Sequence, residues 1–227
     1  MNVDEFENGP FGSGTYPLGR NVNHDPRSRS FPAPRATTRK PVLHKRNGAI
    51  LDQGNLGSCT GNAMAQALNM VPLHTPGTRY LTETDAVALY SRATELDNAQ
   101  GTYPPDDTGS DGLSVCKAAQ EKRLITSYSW AFGFDHALDA LQLAPVLIGI
   151  PWHEAMFTPD SRGFVHPDGA VAGGHEIVLF GDDTKDTLTF LNSWGSGWGK
   201  RGRFFMNYAD FKALLADQGD CAVPVRA

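Results

Sequence analysis

The segment Gln53-Gly54-Asn55-Leu56-Gly57-Ser58-Cys59-Thr60-Gly61-Asn62-Ala63 places a cysteine where a glycine-rich loop turns into a helical pattern. At a helix start, unpaired N–H groups and the helix dipole favour a thiolate, the nucleophilic form of cysteine. Gln53 lies six residues earlier. Its side-chain N–H, with the backbone N–H of Cys59, makes a candidate oxyanion hole. A second segment, Gly173-Gly174-His175-Glu176-Ile177-Val178-Leu179-Phe180-Gly181, opens a buried strand with a histidine. An imidazole can hold a thiol as an ion pair and later protonate a leaving amine. The third, Asn192-Ser193-Trp194-Gly195-Ser196-Gly197-Trp198-Gly199, ends a strand on an asparagine. Asn192 can fix the imidazole tautomer, and Trp194 can cover that hydrogen bond. The order is nucleophile, base, orienter.

These residues resemble the papain-like cysteine peptidases, the family of papain and the cathepsins. Gln53, the Gly57-Ser58-Cys59 triplet, His175 at a strand start and the Asn192–Gly199 segment carry the resemblance, which spans about Pro41 to the C-terminus. It implies Gln53 as oxyanion donor, Cys59 as nucleophile, His175 as base and Asn192 as orienter. It also implies supporting or cleft roles for Trp194, Trp198, Ser58 and Gly174. Some features depart from the family. Leu56 and Thr60 stand where the signature has a cysteine and an aromatic. Cys59 and His175 are 116 residues apart, closer than the roughly 130–150 usual in the family, so loops are trimmed. Gly174 stands where plant members often have an aspartate. In place of a long inhibitory propeptide, only an arm precedes the body.

The elements that must position these groups fall into two sets. Helical patterns cover Cys59 to Met70 (ended by Pro72), Thr82 to Leu96 with Thr84 as cap, Leu113 to Leu124, and a short helix from Asp135 to about Leu143. From Pro145 the period changes. Val146–Ile150 and Glu176–Phe180 are apolar runs of buried strands, Thr187–Leu191 alternates, and Arg203–Asn207 follows a glycine-rich turn. Asp210–Ala216 reads as a last helix. Helices first and strands later predict an α+β fold: a helical lobe (about 59–144) on an antiparallel sheet or barrel lobe (about 145–227). The resemblance implies the same two lobes with a cleft between them.

Residues 1–40 read as an extended arm, because prolines and glycines break every period and no apolar face is sustained. The chain has a net charge of −5, unevenly spread. Eight Lys/Arg and one acid lie between Arg20 and Arg46, whereas 12 basic and 21 acidic residues follow from Gly48 onward. A basic arm thus precedes an acidic body. Alternatives for it are a flexible tail or a strap docked on the body or on a partner subunit. Nucleic acid is disfavoured, since Phe31 is the one interleaved aromatic.

The 227 residues hold 40% hydrophobic side chains, enough for a real core and too many for wholesale disorder. Three cysteines do not make a disulfide-stapled miniprotein. No run of about 20 apolar residues spans a membrane, and the first ten residues lack the charge and apolar pattern of a signal peptide. The expected setting is the cytoplasm, or a virion for a bacterial or phage protein. Asp107–Gly112 fails as a calcium loop, having Gly109 and Ala118 at ligand positions, and reads as a solvated turn. By family analogy it rims the cleft. His153-Glu154 lacks zinc-site spacing, so no metal or other cofactor is expected. His74, His136 and His166 read as surface or loop residues, Trp130 and Trp152 as core, Cys116 as a core thiol and Cys221 as a tail thiol, with a bridge between those cysteines left open. The expected activity is hydrolysis of peptide or protein substrates through an acyl-enzyme. The alternatives are a silent or blocked papain-fold protein within an assembly and a hydrolase of peptidoglycan or isopeptide links.

Overall fold

The computed structural model describes residues 16–226. Expectations for the first 15 residues lie outside this range. Five α-helices and seven strands follow the arm: β1 (Val42–Leu43), α1 (Cys59–Leu68), α2 (Glu83–Leu96), α3 (Gly112–Glu121), β2 (Ser127–Trp130), α4 (Phe134–Leu141), β3 (Val146–His153), β4 (Val171–Asp182), β5 (Leu188–Leu191), β6 (Arg203–Met206), α5 (Tyr208–Ala216) and β7 (Asp220–Val225). One antiparallel sheet runs in the order β2-β7-β3-β4-β5-β6, with β1 also on β4. This is the α+β architecture expected.

The sheet is covered on both faces, which is why β3 and β4 read as unbroken apolar runs. Ile148, Ile150, Trp152, Ile177 and Leu179 face a core shared with α4 and α5. Leu147, Val178 and Phe180 face a second core built from α1, α2 and α3. Helix α1 lies between α2 and the sheet and is buried along its whole length; its residues are small or apolar apart from Asn62 and Gln66, whose side chains are hydrogen-bonded.

Several elements differ from the sequence expectation. Helix α2 is capped by Thr82, not Thr84: Asp85 accepts from the Thr82 N–H at 2.8 Å and from its hydroxyl at 3.0 Å. Helix α3 stops at Glu121, and Arg123 then takes a positive φ of 58°. Strand β4 is 12 residues long, because it pairs with β3 as far as His153. Strands β2 and β7 have no strand pattern in the sequence, one being short and polar, the other containing Pro224. That proline is tolerated because β3 pairs with β7 only at residues 220–222. Helix α4 packs with the sheet, so the sheet's unit begins before residue 144. Cys221 is a buried strand residue, not a tail thiol, and all three cysteines are free. His136 is buried rather than at the surface. It accepts from the Phe132 N–H at 3.0 Å and lies 2.8 Å from the Ala33 carbonyl. No helix among the described residues is long and apolar enough to cross a membrane.

From Tyr16 onward, the arm lies on the body. Its basic residues meet α4: Arg39 reaches Asp139 at 2.8 Å and Asp135 at 3.0 Å, and Arg35 reaches Asp139 at 3.1 Å. Ala33 donates its N–H to the Trp130 carbonyl at 2.8 Å, and β1 extends the sheet beside β4.

Candidate active site

Cys59 is the first residue of α1, and the N-cap Ser58 makes no side-chain cap bond. Asn62 instead donates its side-chain amide to the Ser58 hydroxyl at 3.0 Å and carbonyl at 3.1 Å. Ser58 is buried and braces the turn. His175 lies on β4, directly opposite Ile150 of β3. Asn192 follows β5, whose partner is also β4. The antiparallel β4–β5 pair thus brings two residues 17 positions apart into contact: His175 Nε2 lies 2.8 Å from Asn192 Oδ1.

That contact fixes the imidazole tautomer. Asn192 Oδ1 also accepts the Ser193 backbone N–H at 2.7 Å, so this atom must be the amide oxygen. His175 Nε2 must then donate, which leaves Nδ1 with its lone pair. Nδ1 is buried and has no protein hydrogen-bond partner. Trp194 stacks on the imidazole at 4.7 Å and Trp152 meets it edge-on at 4.9 Å, so both shield the bond from water. Trp198 stands behind them: its Nε1–H donates to the Phe157 carbonyl at 2.9 Å, and its ring packs on Trp194 and Phe204. It supports the aromatic wall instead of lining the cleft.

Gln53 is oriented by Ser193, the residue after Asn192. The Ser193 hydroxyl donates to Gln53 Oε1 at 2.6 Å, which turns the Nε2 donors toward Cys59's side of the cleft, where they meet the Leu56 carbonyl at 2.8 Å. Gln66 of α1 adds a brace, since its Oε1 accepts from Leu51 N–H and its Nε2 donates to the Asn192 carbonyl, each at 3.2 Å. Nothing in the local pattern marked Gln66, because its role is to tie two distant segments.

The arm occupies the cleft. Tyr16 stacks on Trp194 at 4.6 Å, and the Pro17 carbonyl accepts from Gln53 Nε2 at 3.3 Å. Leu18 is fully buried. Gly19 passes so close to Gly57 that a Cβ there would overlap the Gly57 carbonyl. Arg20 donates its N–H to the Gly174 carbonyl at 3.0 Å, and a Cβ on Gly174 would overlap the Arg20 carbonyl. Gly174 is thus where the arm's backbone packs on β4. On the opposite wall, Ser110 donates to Gly19 O at 2.8 Å and accepts from Asn21 N–H at 2.7 Å. The Asp107–Gly112 loop is therefore no solvated turn. It forms a wall of the cleft, held by Asp107, which accepts from Gly57 N–H at 2.9 Å and from the Tyr90 hydroxyl.

Covered in this way, Cys59 is 0% exposed. Burial pushes its thiol up to about 12, against hydrogen bonds from the backbone of Glu176, Gly19 and Thr60. Burial likewise pulls His175 down to about 4, against its bond to Asn192. Both groups are neutral at pH 7 with the arm in place. Among the described residues no cluster of three or more His, Cys, Asp or Glu is arranged to hold a metal.

The fold can be compared with known structures. Xylellain, a cysteine protease from Xylella fastidiosa, superposes with a TM-score of 0.74 over 92% of this chain and 96% of that one, at 19% identity. The chain has the papain-like fold of cysteine peptidases. Procathepsin L 3 from Tenebrio molitor larval midgut shares the fold with a TM-score of 0.62 over 92% of this chain and 75% of that one, at 16% identity. No protein-family model matches. In sequence the chain is 32% identical to cathepsin B-like CP3 of Giardia intestinalis over 114 residues, 45% of this chain and 38% of that protein. It is also 32% identical to cathepsin B-like cysteine proteinase 6 of Caenorhabditis elegans over 82 residues, 33% of this chain and 22% of that protein. The chain thus spans well under half the length of these curated relatives.

Proposed function

We propose that the chain is a cysteine peptidase that hydrolyses peptide bonds, kept latent while its own arm fills the cleft. One observation carries this reading: the hydrogen bond from His175 Nε2 to Asn192 Oδ1 under Trp194, in a neutral tautomer whose Nδ1 is left free as a base, next along β4 to Glu176, whose backbone hydrogen-bonds the Cys59 thiol. Once the arm has left, water re-enters, the thiol falls from its raised value and the imidazole rises, so proton transfer from Cys59 to His175 becomes favourable. The thiolate attacks the scissile carbonyl. The Cys59 N–H and Gln53 Nε2 hold the oxyanion, in the direction Gln53 already points at the Pro17 carbonyl. Protonated His175 gives its proton to the leaving amine, and water then cleaves the thioester.

The arm supports the latent form of this reading over a permanently blocked scaffold. Among the described residues, its contacts in the cleft are non-covalent: backbone hydrogen bonds, the Gln53 bond to Pro17, the stacked Tyr16 ring, buried Leu18 and the Arg20 side chain. The test is hydrolysis of casein by the full chain carrying Gly19→Ala, which crowds the arm against Gly57. Turnover is expected to exceed that of the parent chain and to vanish on adding Cys59→Ala. Equal hydrolysis with and without Cys59 would refute the assignment.

A further inference from the structure

Four cations converge at the border between arm and body, with no carboxylate among them. Lys45 and Arg46 end the basic stretch, and Arg201 and Arg203 flank Gly202 at the start of β6. With Phe180 of β4 they line a cavity of about 260 Å³. Arg20, Arg35 and Arg39 of the same basic stretch each meet an aspartate. Among the described residues none of the four lining cations makes an ion pair, although the chain carries 25 acidic residues. Arg46 uses Nη1 on the Gly48 carbonyl at 2.8 Å, and Arg203 has a long contact of 3.4 Å from Nε to the Lys200 carbonyl. Their other guanidinium donors have no protein acceptor among the described residues. Burial, with repulsion from Arg203, pulls Arg46 below its ordinary value. His44 also lines the cavity, but its Nε2 donates to the Leu141 carbonyl at 2.7 Å. Backbone bonds fix both segments. His44 donates its N–H to the Phe180 carbonyl at 2.9 Å, Val71 to the Lys45 carbonyl at 3.0 Å, and Asn192 to the Gly202 carbonyl at 2.9 Å.

We propose that this cavity is a binding site for a free, multiply charged phosphate ion, diphosphate in particular. Like charges held together without a carboxylate repel one another, and a polyanion between them turns that repulsion into attraction. Guanidinium forks match phosphate oxygens with paired donors. Here one fork comes from residue 46 and the other from residue 203, so a single ion is held from two sides. The volume admits several waters. It lies below the roughly 300–1,000 Å³ of sites for drug-sized ligands, so it suits a small ion better than a large organic phosphate. The cavity shares no lining residue with the candidate active site, and binding there requires no peptidase activity. A bound ion would tie the end of the basic stretch to the turn whose Gly202 carbonyl holds Asn192.

Calorimetric titration of inorganic diphosphate into the full chain, at a constant ionic strength of about 0.1 M, tests this. One ion per chain is expected to bind saturably. Arg46→Gln combined with Arg203→Gln is expected to weaken binding at least roughly tenfold. Arg46→Lys combined with Arg203→Lys keeps the charges and loses the forks, so it should fall between the parent and the glutamine pair. If the glutamine pair does not fold, Lys45→Gln with Arg201→Gln, both on exposed residues, is expected to weaken binding roughly threefold. Heat that does not saturate, or an affinity unchanged in these variants, overturns the site. Hydrogen exchange locates the ion: diphosphate is expected to slow exchange at the His44 and Val71 amides in the parent and not in the glutamine pair. Binding without slowing at those amides places the ion elsewhere and overturns the cavity. Methyl diphosphate is expected to bind no more tightly than the free ion, and tighter binding would overturn the assignment to a free ion.

Discussion

Two side chains decide the chemistry of the candidate site by orienting others. Asn192 fixes the His175 tautomer because its oxygen is already committed to the Ser193 N–H. Ser193 fixes Gln53 in turn, through its hydroxyl. With the arm displaced, Gln53→Ala is expected to lower kcat by roughly a hundred- to a thousandfold, as loss of one oxyanion donor does. Ser193→Ala is expected to lower kcat less, with little change in KM, because the donor remains but loses its orientation. A KM effect as large as the kcat effect would argue against that role. The sequence marks Cys59, His175, Asn192 and Gln53 as candidates for nucleophile, base, orienter and oxyanion donor, since each sits in a local pattern that its proposed chemistry requires. Ser193 lay in plain view within the most specific segment, but its duty depends on a residue 140 positions away. Lys45, Arg46, Arg201 and Arg203 were not legible as a group for the same reason: two distant segments of the chain converge on one cavity.

Between elements, the arm and the two walls of the cleft share an equilibrium that pH should shift. His175 is held at about 4 with the arm seated and returns toward its ordinary 6.5 when the cleft is wet. A depressed value means that seating is at full strength above about pH 6.5 and weakens as pH falls toward 4. The shift corresponds to up to about 3 kcal/mol. Hydrogen exchange at the Gly19, Arg20 and Asn21 amides, corrected for intrinsic rates, is expected to speed up between pH 6.5 and 4. Protection that stays constant across that window would count against the coupling. The helices and the central strands were readable from their periods. Strands β2 and β7 were not, because each is defined by its partner and carries little pattern of its own.

At the scale of the molecule, the charge split along the chain has a spatial counterpart. Arg35 and Arg39 converge on Asp139 of α4, whose side chain is only 9% exposed. Asp139→Asn is expected to weaken arm seating by about 1–2 kcal/mol, read as faster exchange across residues 16–46, and salt near 1 M should shrink that difference. The body should respond differently. Trp152, fully buried against His175, Trp194, Trp198 and Phe204, is expected to cost about 3–5 kcal/mol as Trp152→Ala in chemical denaturation. The basic arm and acidic body were legible as composition. The path of the arm through the cleft was not, since a segment without periodicity announces no partner.

The central claim is that Cys59 is a nucleophile waiting under the arm. It is tested most directly by mapping, with peptide mass spectrometry, where a thiol-reactive epoxide attaches to the full chain with and without Gly19→Ala. The parent chain should label slowly. The Gly19→Ala chain should label at Cys59 and leave Cys116 and Cys221 untouched, because those thiols are buried in the cores and held well above their ordinary values. Labelling of Cys59 that is no faster than that of Cys116 and Cys221 once the arm is unseated would contradict the claim.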